Sequence, residues 1–121
     1  MKKKTIKIPI YGGVLKIKIV KNWKKLNKKF NCNYTNSVDG CAYYTIDKDG
    51  VTNFHIEFLG KPSLGVIVHE SVHCVNHIFK SRGVKLDVKK DEHQAYFTEW
   101  IFEQVLNHVE EYYFEKDEIN L

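Results

Sequence analysis

The sequence predicts an α+β domain in which a small antiparallel or mixed sheet of two hairpins packs on two long helices. Three observations carry this. Two pairs of segments alternate apolar and polar residues across turn sequences, the second half of the chain changes to helical spacing, and 43% of the 121 residues are hydrophobic, enough to cover one core. The length favours a single domain over 1–121, and no internal repeat or low-complexity linker divides it.

Residues 4–10 and 14–20 alternate, with Ile6, Ile8 and Ile10 and then Leu15, Ile17 and Ile19 on one side, and Tyr11-Gly12-Gly13 joins them as a hairpin. Trp23, Leu26 and Phe30 recur at helical spacing among lysines, so 21–30 is expected to form a short amphipathic helix, and the Asn-rich stretch 31–40 a loop. A second hairpin follows over 41–47 and 51–58, with Ala42, Tyr44 and Ile46 and then Thr52, Phe54, Ile56 and Phe58 facing inward. Its turn, Asp47-Lys48-Asp49-Gly50, has the start of a calcium loop, but Phe58 stands where an EF-hand needs its twelfth-position glutamate, which argues against calcium. After Pro62, Ser63 can cap a helix running to about Lys80, and Gly83 ends it or opens a loop near 82–90. A last helix of about 91–115 carries Ala95, Tyr96, Trp100, Ile101, Val105, Leu106 and Val109 as a broad apolar face.

No apolar run approaches the roughly 20 residues of a membrane span, and Lys2 to Lys4 lead into a strand pattern rather than a signal-peptide core. A soluble cytoplasmic protein is expected. Cys32, Cys41 and Cys74 form no closely spaced pair and are expected to be reduced, buried thiols. The net charge of +4 conceals a gradient: residues 1–30 hold eleven lysines and no acid, whereas 91–121 hold nine acids and one lysine. Solvated strand and helix faces account for most of these lysines, as where Lys16 and Lys18 alternate with core residues. Nucleic-acid binding through the Lys-rich region stays a minor reading, since no aromatic-rich sheet signature accompanies it.

The chemistry lies in His69-Glu70-Ser71-Val72-His73, an H-E-x-x-H motif on the first long helix. Four-residue spacing puts both imidazoles on one helix face, with Cβ atoms about 6 Å apart, so both can reach one zinc. Glu70 points to the edge of that face, where it can act on a water as general base. The apolar flanks Val66, Ile67, Val68, Val72, Val75, Ile78 and Phe79 suit a buried central helix. A third ligand is sought on the last helix, where Glu92 follows His73 after eighteen residues, giving H-E-x-x-H-x18-E.

Over residues 63–106 the chain resembles the zincin metallopeptidases, specifically the gluzincins, whose third zinc ligand is a glutamate on a helix after the motif helix. The segment Asp91-Glu92-His93-Gln94-Ala95-Tyr96 is also similar to the second helix of small zincin-like proteins of phages and prophages and of compact peptidases related to repressor-cleaving enzymes. The resemblance implies a minimal zincin-like fold, zinc held by His69, His73 and Glu92, and Glu70 activating the water for hydrolysis of a peptide bond. It also implies that strand 51–58 edges the cleft and pairs with an extended peptide or protein substrate. Where larger gluzincins often carry an acid four positions after the glutamate ligand, this chain has Tyr96. Glu99 is then a candidate to orient a ligand, and Tyr96 to stabilise the oxyanion.

Alternatives stay open at single residues. Glu92 and Asp91 also suit a helix first turn on dipole grounds, and a register shift of one residue would bring His93 or Asp91 to the metal. His77 lies two turns from His69, about 12 Å along the axis, too far to share its zinc. It reads as a surface or hydrogen-bonded histidine. His55 could meet substrate or merely face solvent, His108 lies too far down the last helix for a role, and the aromatics of the last helix read as core and partner surface. The alternative function is a non-catalytic zincin-like module acting through a protein partner.

Overall fold

The computed structural model describes the backbone of residues 3–119 and the side chains of residues 3–114. Its elements are β1 (Lys3–Lys7), β2 (Val14–Val20), α1 (Lys24–Phe30), β3 (Gly40–Ile46), β4 (Thr52–Leu59), α2 (Leu64–Ser81) and α3 (Glu92–Ile119). Both hairpins form: β1 pairs with β2, and β3 with β4, each antiparallel. The hairpins join through a parallel pairing of β2 with β4, so the strand order is β1-β2-β4-β3.

The alternation in β2 and β4 places Leu15, Ile17, Phe54, Ile56 and Phe58 on one face, all fully buried against Ile67, Val75, Ile78 and Phe79 of α2 and Ile101 and Val105 of α3. Removing this surface from water supplies the main driving force for the fold. Gly13 lets the hairpins close up. It lies at φ +80°, and a Cβ there would fall 2.7 Å from the Thr52 carbonyl oxygen. Arg82 ties the same corner, donating to the Tyr11 carbonyl at 2.8 Å and to the Thr52 hydroxyl at 3.3 Å.

Both ends of α2 are capped. The Ser63 hydroxyl accepts from the Val66 N–H at 3.2 Å. At the other end Gly83, at φ 70°, allows Val84 N–H to reach the Phe79 carbonyl at 2.8 Å, a Schellman closure. α3 starts beside that end, with the His93 ring 5.5 Å from Phe79 and Phe97 stacked on the same ring at 6.1 Å. Further along, Leu106, Val109 and Tyr113 line one cleft with Leu64 and Ile67, so the two helices run antiparallel.

Several expectations are corrected by packing. Ile10 is 93% exposed at φ 67°, because β1 ends at Lys7 and the chain has already entered the turn. Tyr44 and Ile46 are exposed, since β3 lies at the border of the sheet, and on α3 Ala95 and Tyr96 face outward while Phe97 takes the core position. Phe30 is 42% exposed at the end of α1, whose buried anchors are Trp23 and Leu26. Strand 51–58 was expected to edge a cleft, but β4 is internal, hydrogen-bonded to β2 on one side and β3 on the other. The strand that borders the sheet next to α2 is β3.

The second face of β4 is covered too. Asn53, His55 and Glu57 are buried, His55 stacked on Tyr43 with ring centroids 4.4 Å apart and bonded to the Thr45 hydroxyl at 2.8 Å. The solvent-facing reading of His55 fails because Tyr43 and the α1 layer lie over it. Burial first, and then Lys16, Lys29, Lys18 and Lys3, push its pKa from 6.5 down to about 4. The unfolded chain therefore takes up this proton before the folded one, and His55 makes stability fall as pH drops from about 6.5 towards 4. His55→Gln is expected to flatten Tm against pH across that window. An unchanged slope would assign the titration to other groups.

Cys41 and Cys74 are buried and Cys32 half-buried, all three as free thiols. Burial pushes the Cys41 and Cys74 thiols up to about 12, with Glu57 adding to the effect at Cys41, so neither is a nucleophile at neutral pH. Among the described residues no helix is long and apolar enough to cross a membrane.

Candidate metal centre

The sequence of α2 sorts its side chains by angle. Ile67, Ser71, Cys74, Val75 and Ile78 face the core, whereas His69 and His73 lie a turn apart on the exposed side. Glu70 falls between these sectors and is 5% exposed. His69 Nε2 and His73 Nε2 are 3.2 Å apart, with their rings at 79°. Two nitrogens bound to one tetrahedral zinc at about 2.05 Å must stand about 3.3 Å apart. The separation is close to that value, and it is also that of a hydrogen bond between the two rings. A Glu70 carboxylate oxygen completes a group of three ligand atoms lying within 4.8 Å of one another.

His69 and Glu70 line a cleft of about 480 Å³ whose walls include Asp39, Gly40, Ser63 and Gly65. Burial pushes the Glu70 carboxyl up, and the facing His69 and His73 pull it down. Gly40, the first residue of β3, makes room for Glu70: a Cβ there would fall 3.1 Å from Glu70 Cγ and 3.2 Å from its Oε2. The loop before β3 is fixed by α1, since the Asn27 side chain accepts from Tyr34 N–H at 2.9 Å and donates to the Tyr34 carbonyl at 2.9 Å. Trp23 adds an indole N–H to the Val38 carbonyl at 2.9 Å. Burial, then the Cys41 and Cys32 thiols and last Glu70, push the Tyr34 hydroxyl up.

The structure brings His69, His73 and Glu70 together but not Glu92. That residue is exposed at the first position of α3 and stands outside the group. The reason is helical phase and level. The N-terminus of α3 docks at Phe79, which is six residues, about 9 Å along the axis, beyond His73. The histidines project from the side of α2 where Glu70 meets Gly40 of β3. His93 is held on Phe79, and Asp91 precedes the helix as an exposed residue. Tyr96 and Glu99 are likewise exposed on α3, Tyr96 at 67%. His77 donates to the Ala42 carbonyl at 3.2 Å and joins α2 to β3. His108, expected to carry no role, is buried on the core side of α3.

Asp39 and Gly40 are the site residues that sequence reasoning missed. They sit in or next to a loop whose only local signal is an Asp-Gly pair before a strand, and nothing local ties that pair to a helix thirty residues later. No family model matches this chain, and neither the curated proteins nor the solved structures contain a match to it.

Proposed function

We propose that this chain is a zinc-dependent peptidase of the zincin type that hydrolyses a peptide bond in the cleft between β3 and α2. The observation that carries the reading is the 3.2 Å separation of the two imidazole nitrogens with Glu70 buried beside them. Bound zinc would polarise an amide carbonyl and lower the pKa of a water to about 7. His69 and His73 would hold the ion through their ring nitrogens. Glu70 accepts the proton of the attacking water at its carboxylate and delivers it to the leaving amine, and its burial, by raising its proton affinity, favours that uptake.

Asp39 lines the same cleft as His69 and Glu70, which makes it a candidate further donor beside Glu92, although both stand outside the group of three ligand atoms. Gly40 positions Glu70. Gly40→Ala, which asks Glu70 to give way by a few tenths of an ångström, is therefore expected to keep zinc and to lower kcat/KM. A variant with full activity would show that Glu70 tolerates the displacement.

The test is digestion of a peptide library by zinc-loaded protein beside Glu70→Gln. Cleavage that disappears in the variant supports the reading. No cleavage by the wild type, or equal cleavage by both, overturns it and leaves a non-catalytic module that acts through a protein partner.

A further inference from the structure

The face of the sheet opposite α2 and α3 carries a second set of polar groups that peptide hydrolysis does not use. Two adjoining clefts of about 330 and 340 Å³ lie between α1 and this face and share Lys18, Val20, Asn22 and Lys25. Lys29 lines the first, and Lys3 and Lys21 line the second. Five lysines from β1, β2, the β2–α1 link and α1 thus converge on one groove. In the sequence they read as separate solvated faces of strands and a helix; folding superimposes those faces. The acid lining the groove is Glu57, buried on its floor and bonded to the Tyr43 hydroxyl.

Like charges gathered over a polar floor repel one another, so the arrangement costs stability unless an anion joins it. We propose that this groove binds the phosphodiester backbone of single-stranded nucleic acid. A row of lysines shared between two clefts matches a ligand whose charges repeat along a chain better than a single small anion. Phe30, 42% exposed at the end of α1, stands beside Lys29, whose Nζ is 5.4 Å from its ring centroid. Its ring offers a stacking platform next to a phosphate-binding cation.

The experiment is fluorescence anisotropy of a labelled oligothymidylate, and of its duplex with oligoadenylate, titrated with the full chain over a range of salt. Five neutralised phosphates at about −0.7 each predict a log–log salt slope of about −3.5, or about 100-fold weaker binding for a fourfold rise in salt. Lys25→Gln with Lys29→Gln is expected to reduce that slope by about 1.4. Lys24→Gln with Lys28→Gln, on residues of α1 that do not line the groove, removes the same charge and is expected to leave it unchanged. All four lysines are exposed, and a Tm equal to wild type confirms folding of both variants. Absence of binding at low salt overturns the proposal, as does equal loss in both double variants, which would reduce the effect to net charge. Duplex bound as tightly as the single strand would overturn the single-strand assignment. Self-association in sedimentation that the Lys25/Lys29 variant abolishes, without oligonucleotide binding, would make a second copy the occupant and overturn it too.

Discussion

Glu70→Gln is expected to bind zinc as the wild type does and to hydrolyse peptide about 10²- to 10⁴-fold more slowly, the range over which a positioned general base contributes. The substitution keeps the size of the side chain and its fit against Gly40. It removes the carboxylate that takes the proton. Because Glu70 is 5% exposed, its ionised form is also a burden on the metal-free fold. The metal-free Gln variant is accordingly expected to have a Tm at neutral pH at or above that of the metal-free wild type. Loss of activity together with a fall in Tm would point to misfolding, and loss without it to chemistry. Should the variant lose zinc as well, Glu70 would be a ligand rather than a base.

His69→Ala and His73→Ala are each expected to lose zinc, with affinity falling by more than the roughly 10- to 100-fold that removal of an outer-shell partner costs. Elemental analysis after dialysis gives the stoichiometry. Thermal unfolding gives a readout independent of catalysis: zinc at about 100 times its Kd adds about 2.7 kcal/mol to a protein that binds it only when folded. Tm should therefore rise with added zinc in the wild type and stay flat in both histidine variants. Asp39→Asn and Glu92→Gln then locate the further donor. Weaker zinc binding in Asp39→Asn alone supports the geometry of the cleft, whereas weaker binding in Glu92→Gln alone would require α3 to turn its first residue towards His73. A wild type whose Tm ignores zinc would remove the metal centre altogether.

Local patterns were legible because they follow from backbone geometry. A period of two in 14–20 and 52–59 and helical spacing in 64–81 express how successive side chains leave a strand or a helix. The cap at Ser63 and the stop at Gly83 act within a few residues. The two histidines share one face of α2 for the same reason, since four residues is about one turn. These features hold wherever the segments go.

The rest depended on contacts between segments distant in sequence. No local rule joins β2 to β4 in parallel, and that pairing is what makes β4 internal and leaves β3 at the border beside α2. Covering the second face of β4 turned His55 from an expected surface residue into a buried, neutral one. The distance of eighteen residues from His73 to Glu92 could be counted, but the docking of α3 on Phe79 set where Glu92 stands. Asp39 and Gly40 came to the site from a loop, and five lysines from four segments came to one groove, only when the layers closed. By itself the sequence determined the hairpins, the helices and the histidine pair, because each is set by neighbours along the chain. The tertiary structure decided which faces are covered and which acids and cations share a cleft, because burial and proximity belong to the packed layers.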